Sequence, residues 1–378
     1  MKGLPLLLAG AMASGWGLSA HAQLLSNGDF ETPPYSTIGT VAGWTVGGNV
    51  ADTEEGATNG THSAAFSAGG DSEGDMITQS FPTTVGQMYT LDFDAAVFGV
   101  PDTGSNLRLR VQVFGSNPIV DETITPIPSF GYDPNSVPWQ HYQYTFMATS
   151  TTATLQFSNI GLGNAVADQV VDSVVILPEL KLTAAASVKT HGSPGTAYSV
   201  NLPLTGNPGV ECRLAGAGDA HTLVFTFSNN VDSGSATVTD GAGSAGTATF
   251  ANKTMTVELT GVTDEQKITV TLSGVTDEFG QVLPNTPVEM GVLLGDTTED
   301  ESVNSGDISQ TKSQSGTVVS GTNFREDVTL DNAINSGDIS LVKSRSGNGI
   351  LAPALPTFDM PEPAKKFDTR KLQRGGYR

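Results

Sequence analysis

Two twelve-residue stretches place aspartate at their first, fifth and twelfth positions: DTTEDESVNSGD from Asp296 and DVTLDNAINSGD from Asp327. Extended to DTTEDESVNSGDISQTKSQSG and DVTLDNAINSGDISLVKSRSG, the copies share thirteen of 21 aligned positions at an offset of 31. A repeat of this kind is one supersecondary unit used twice. A divalent cation such as calcium needs roughly six to eight oxygens around one point. A chain supplies them locally if it curls so that side chains 1, 3, 5 and 12 and carbonyl 7 converge. The first copy offers Asp296, Thr298, Asp300, the Ser302 carbonyl, Asn304 beside a bound water, and Asp307. The second offers Asp327, Thr329, Asp331, the Ala333 carbonyl, Asn335 and Asp338.

At position eight, Val303 and Ile334 are expected to point inward and couple the loops through a small apolar contact. The residues after position twelve, DISQTKSQSG and DISLVKSRSG, begin like helices and end in glycine, which predicts one short helix per loop. So small a unit has little core of its own, so its folding is expected to depend on bound Ca2+.

From Gly295 to Gly347 this pattern resembles type I dockerins, whose repeats read much like DVNGDGxVNSxDLxxLK. Here position three is threonine, and position six is Glu301 or Asn332 where the family has glycine. Fewer carboxylates imply weaker calcium binding. Asparagine tolerates a left-handed backbone better than glutamate, so the first loop is expected to be the weaker. The resemblance implies a cohesin-like partner contacted through Ser305, Gly306, Lys312 and Ser313 in one copy and Ser336, Gly337, Lys343 and Ser344 in the other. Because both copies carry the same Ser-Gly and Lys-Ser, that surface could bind in two orientations. A calcium-stapled unit without any cohesin is the alternative.

The elements in front of the repeat read as short strands. With 44 glycines, 20 prolines and 15% charged residues, the composition is that of strands joined by many turns. From Leu24 to about Pro178 run MITQSF, YTLDFDAAVF, LRLRVQVF, YQYTFMA, ATLQFSNI and VVDSVVIL. In YTLDFDAAVF, Tyr89, Leu91 and Phe93 alternate with Thr90, Asp92 and Asp94, as a half-buried strand requires. From about Leu180 to Leu294 a second set, richer in threonine and valine, includes HTLVFTFS, TMTVELTGV and KITVTLSGV.

Flat rings stack on the apolar faces of sugars, and Trp44, Tyr132, Trp139 and Tyr142 are candidates for that work. Trp139, in the proline-containing stretch NSVPWQHY, is the most plausible; core packing is the competing role for both tryptophans. LLSNGDFETPP, AGWTVGG, ITQSFPTTVGQMYTLDFDAA and VVDSVVIL together resemble galactose-binding-like jelly rolls of the carbohydrate-binding family 4/9 type and the related DUF642 domains. That resemblance implies a structural calcium between Glu31 and Asp172. LVFTFSNNV followed by ITVTLSGVTDEFGQVLPN resembles bacterial Ig-like domains, which implies a spacer.

The net charge of −21 argues against nucleic acid and for cations as ligands. Residues 1–22 read as an export signal, with Lys2, an apolar run from Leu4 to Leu18 and cleavage after Ala22, so a secreted or cell-surface location is expected. No later apolar run is long enough to span a membrane. Cys212 stands alone, which excludes an intrachain disulfide and suggests a small buried side chain. The tail carries Lys365, Lys366, Arg370, Lys371, Arg374 and Arg378, either solvated or in contact with an anionic surface.

The five histidines are scattered, and no HExxH, GxSxG or phosphate-cradling glycine motif is present. Gly70-Asp71-Ser72 lacks the late Asp-x-x-His that an esterase of that kind needs, and reads as a turn. The expected architecture is mainly β: a jelly-roll sandwich at 23–179, an Ig-like sandwich at 180–294, a small α dockerin-like unit with EF-hand-type loops at 295–348 and a disordered basic tail at 349–378. The expected function is non-catalytic: carbohydrate binding joined to calcium-dependent docking, in the context of polysaccharide binding or breakdown. A matrix or adhesive protein without sugar binding and a small polysaccharide-active hydrolase are the alternatives.

Overall fold

The computed structural model describes residues 23–68, 73–101, 107–161 and 167–350. The export signal, the Gly-Asp-Ser triplet and the basic tail lie outside them. No described helix is long and apolar enough to cross a membrane.

The first unit is a sandwich of two five-stranded antiparallel sheets. One sheet runs in the order β1 (Thr45–Gly47), β4 (Met76–Pro82), β9 (Thr152–Asn159), β6 (Leu109–Phe114), β7 (Pro118–Ile124). The other runs β2 (Val50–Thr53), β3 (Ser63–Phe66), β10 (Ala167–Pro178), β5 (Met88–Gly99), β8 (Gln140–Met147). Sequence alternation dictates which faces meet: Tyr89, Leu91 and Phe93 of β5 enter the core beside Ile77, Phe81, Val111, Leu155 and Phe157. At the far end of β5 the alternation stops, and Ala95, Ala96 and Val97 are all buried. Both faces are covered there, because Val137 and Trp139 lie over Ala65, Ala96 and Val170 on the outside. The pairing of β10 with β5 shifts register between Asp172 and Val175, with Ser173 at φ 54°. Gly28 closes on this irregularity. A Cβ there would sit 2.0 Å from the Val174 carbonyl oxygen, so only glycine lets the early NGDFE segment pack against the last strand.

β10 ends at Pro178 and β11 (Leu182–Gly192) opens the second sandwich. Side-chain amides latch this short junction. Gln87 of the first unit donates to Asn229 of the second at 2.8 Å, Asn229 donates to the Pro178 carbonyl at 2.9 Å, and Gln281 donates to the same carbonyl at 2.7 Å. One sheet of this sandwich comprises β12 (Gly195–Asn201), β11, β14 (His221–Phe227), β18 (Thr254–Thr260) and β16 (Ser244–Ala245), with β17 (Thr249–Ala251) also on β18. The other comprises β13 (Gly209–Glu211), β20 (Thr286–Val292), β19 (Gln266–Asp277) and β15 (Val231–Asp240), where β13 and β20 run parallel. Leu223, Phe225, Val257, Ile268 and Val270 fill its core.

The repeat follows as α1 (Ser305–Gln314) and α2 (Ser336–Ser344), each preceded by its aspartate loop. It is not a free appendage. Val303, Val328 and Val342 share an apolar cluster with Val210 and Leu293 of the second sandwich. Backbone hydrogen bonds cross the same boundary: Leu214 N–H to Val328 O, Gly192 N–H to Leu330 O and Gly295 N–H to Cys212 O. Cys212 is fully buried, and burial pushes its thiol up to about 12, which suits a packed, unreactive side chain.

Candidate cation loops and carbohydrate face

Each helix begins where its loop ends, and the same side chains do both jobs. Asn304 and Asn335 are the N-caps, accepting from the N–H of Gly306 and Gly337 at 2.7 Å. Asp307 and Asp338, at N3, reach back to the N-cap N–H at 2.8 and 2.9 Å, which completes a capping box in both copies.

The loops are near-duplicates in atomic detail. Asp296 accepts from the N–H groups of Asp300 (3.1 Å) and Glu301 (2.9 Å), and Asp327 from those of Asp331 (3.2 Å) and Asn332 (2.8 Å). Asp307 accepts from the Thr298 N–H and hydroxyl, both at 2.9 Å, and Asp338 from those of Thr329 at 3.0 and 2.8 Å. Asn304 and Asn335 donate to Asp300 and Asp331, and also to the carbonyls of Ser302 and Ala333. Carboxylate oxygens of Asp296, Asp300 and Asp307 lie within 4.8 Å of one another, as do those of Asp327, Asp331 and Asp338. In each triad the outer two are buried and the middle one is exposed. Burial raises the Asp296 carboxyl to about 6; amide hydrogen bonds oppose this, and the charges of Asp307 and Asp300 add to it. The donors are oxygens, with neither thiolate nor imidazole in the triads, which is the set a hard cation of the calcium class prefers. Such an ion would relieve the crowding of carboxylates.

One detail goes beyond the sequence expectation. Position six is not the only strained site. Glu299 and Glu301 have φ near 63° and 64°, and Leu330 and Asn332 near 63° and 69°, so positions four and six are left-handed in both loops. The position-eight residues Val303 and Ile334 are both buried, at 1% exposure each. Val303 donates to Asn348 and accepts from Gly347, while Ile334 accepts from Gly316. Each loop is thus closed by residues that follow the helix of the other copy. The eight residues at the positions assigned to partner contact, from Ser305 to Ser344, are all exposed.

In the first sandwich, Glu31 and Asp172 converge on one turn. Glu31 accepts from the N–H of Thr61 (2.5 Å) and His62 (2.6 Å), and Asp172 from those of Thr58 (2.6 Å) and Asn59 (3.0 Å). Burial lifts Asp172 to about 6, those amides pulling it back. Asp52, missed in the sequence, lies close by and is fully buried, with no hydrogen-bond partner for either oxygen among the described residues. Burial raises it to about 7, with His62 opposing and Glu31 and Asp172 adding to the shift.

Among the aromatic candidates, Trp44 is a core residue and not a stacking platform. Its indole packs between Phe30 and Phe157 and its N–H donates to the Asn27 carbonyl at 3.0 Å. Tyr142 is half-buried, stacked on Phe93 at 5.3 Å at the sandwich edge. Trp139 is half-buried on the outer face of the β2–β8 sheet, beside Phe98. Tyr132 meets Phe98 edge-on at 5.9 Å and is 57% exposed, and Phe130, unremarked in the sequence, is 70% exposed. Directly opposite Phe98, on β10, stands Asp168, which hydrogen-bonds to Glu55, whose carboxyl burial raises. Two carboxyls at hydrogen-bonding distance are closer than the roughly 5–5.5 Å that a retaining glycosidase uses.

Residues 23–177 match the family described as "Protein of unknown function (DUF642)". No curated protein matches this chain. Among solved structures, this chain is similar to a family 61 carbohydrate-binding module in complex with β-1,4-galactotriose, at 16% identity over 42% of this chain and 99% of that one, TM-score 0.31. It is also similar to a family 22 xylan-binding domain from Paenibacillus barcinonensis, at 19% identity over 42% of this chain and 96% of that one, TM-score 0.29. A third is the N-terminal cellulose-binding domain of Cellulomonas fimi β-1,4-glucanase C, at 17% identity over 37% and 90%, TM-score 0.26.

Proposed function

We propose that this is an exported, calcium-dependent docking protein whose first sandwich holds a polysaccharide. The observation that carries this reading is the duplicated aspartate triad: two sets of three carboxylates, each converging within 4.8 Å and each leading into a capped helix. In this reading Ca2+ neutralises the triads and fixes the helices. The exposed Ser-Gly and Lys-Ser pairs of both copies then form the contact surface for a cohesin-like partner. The second sandwich, an Ig-like spacer in this account, serves as the mount. Carbohydrate binding rests on Trp139 and Tyr132, whose rings lie beside Phe98 on the outer face, with the exposed Phe130 two residues from Tyr132 in the chain. A structural calcium held between Glu31 and Asp172 belongs to the same proposal.

Calorimetric titration of calcium into the full chain, followed in parallel by circular dichroism, tests the docking half. Two binding events that disappear in Asp300→Ala and Asp331→Ala, with a gain of helical signal, support it; no heat at millimolar calcium refutes it. Retention on insoluble polysaccharides, measured for the parent and for Trp139→Ala, tests the other half.

A further inference from the structure

The two cation loops match internally but are supported differently from outside. In the first, the hydrogen bonds that reach the Asp296 carboxylate come from its own loop: the N–H groups of Asp300 and Glu301 and the Thr298 hydroxyl. Arg325 donates to the main-chain carbonyls of Asp296 at 3.0 Å and Thr297 at 3.3 Å and pairs with the Glu299 carboxylate at 3.7 Å, but makes no hydrogen bond to the Asp296 carboxylate. In the second, the Asp327 carboxylate has an added partner from the second sandwich: His191 Nδ1 lies 2.8 Å from Asp327 Oδ2, and both side chains are fully buried.

The chemistry around His191 fixes what each of its nitrogens does. Arg213 has only donors, and its Nη1 lies 3.1 Å from His191 Nε2, so Nε2 accepts. A carboxylate accepts, so Nδ1 carries the proton and donates it to Asp327. Arg213 is itself anchored by Glu211, through Nε at 2.8 Å and Nη2 at 2.7 Å, and by the Tyr198 carbonyl at 3.0 Å. Tyr198 and Phe324 stack at 5.4 Å and both meet the imidazole edge-on, which locks its rotation.

We propose that His191 is a positioning residue for cation binding by the second loop: the second sandwich reaches across to orient Asp327 and so makes that loop the stronger of the two sites. This rests on the cation reading given above. Outer-sphere partners that orient a ligand are worth about ten- to a hundredfold in metal affinity. A loop supported in this way needs the sandwich in place, so the repeat and its mount act as one binding unit.

The test is calorimetric titration with calcium of the full chain, with Asp300→Ala used to silence the first loop and Asp331→Ala the second. His191→Leu is expected to weaken the second loop about ten- to a hundredfold and leave the first within a factor of two or so. His191→Asn, whose side-chain amide can donate from near the Nδ1 position, is expected to recover most of the loss. Thermal melts with and without calcium establish that each variant is folded. An unchanged second loop in His191→Leu overturns the proposal. So does an equal loss at both loops, the signature of a merely structural role, and so does His191→Asn being as weak as His191→Leu. If the parent binds no calcium at all, the cation reading falls together with this one; two intact sites indifferent to His191 overturn this inference alone.

Discussion

Val303 donates its backbone N–H to the carbonyl of Asn348 at 2.9 Å. Val303 lies at position eight of the first loop, and Asn348 follows the helix of the second copy. Gly347 donates back to the Val303 carbonyl at 2.8 Å, and Gly316 donates to the Ile334 carbonyl at the same distance with the copies exchanged. Neither loop closes without its sibling. Ile334→Ala should therefore destabilise the whole repeat, by about 2–5 kcal/mol for a buried isoleucine, and weaken cation binding at both loops. Calcium-dependent thermal melts and two-site titration check this. A loss confined to the second loop would show that the copies fold independently.

Left-handed backbone at non-glycine residues costs about 1 kcal/mol or more each. Glu301→Gly and Leu330→Gly should each recover part of that cost, offset by the greater freedom of glycine in the unfolded chain. Tighter calcium binding by up to about fivefold is expected from each. Asn332→Gly should gain less, because asparagine already tolerates φ near 69°. Titration of the three variants ranks them directly.

The two tryptophans of the described chain should separate cleanly. Trp44→Ala empties a core site between Phe30 and Phe157 and should cost about 3–5 kcal/mol, seen as a lowered urea midpoint. Trp139→Ala, which uncovers only the outer cluster of Ala65, Ala96 and Val170, should lower that midpoint less than Trp44→Ala while abolishing retention on polysaccharide. Unchanged retention would remove Trp139 from the site.

His221 is buried in the second sandwich, with neither ring nitrogen hydrogen-bonded among the described residues, and burial depresses it from 6.5 to about 4, with Lys189 adding to the shift. Its neutral form is the one the fold accepts. The stability this contributes is fully present above about pH 6.5 and is lost as pH falls towards 4, because the unfolded chain takes up the proton first. At 1.36 kcal/mol per unit the loss approaches about 3 kcal/mol. Urea unfolding of the parent and His221→Val across this range should differ in slope, and parallel profiles would contradict the assignment.

The spacing of aspartates announced the two loops because their carboxylate contacts are local, fixed by positions along twelve residues. The strand alternation of Tyr89, Leu91 and Phe93 was legible for the same reason. What the sequence hid depends on distant partners. Asp52 and Glu55 became conspicuous only when folding brought Asp172 and Asp168 beside them, and Trp44 could be told from Trp139 only once the sheets had closed over one and not the other. The left-handed turns at Glu299 and Leu330 had no marker either, since glycine, their usual flag, is absent there.

The amide latch at Pro178, made by Gln87, Asn229 and Gln281, gives the molecule a stiff elbow. The repeat is seated on the second sandwich as well, through the shared apolar cluster and three backbone hydrogen bonds, so packed contacts run unbroken from the outer aromatic face to the two loops. A force applied at the loops would therefore reach the first sandwich through those contacts, with no free linker between.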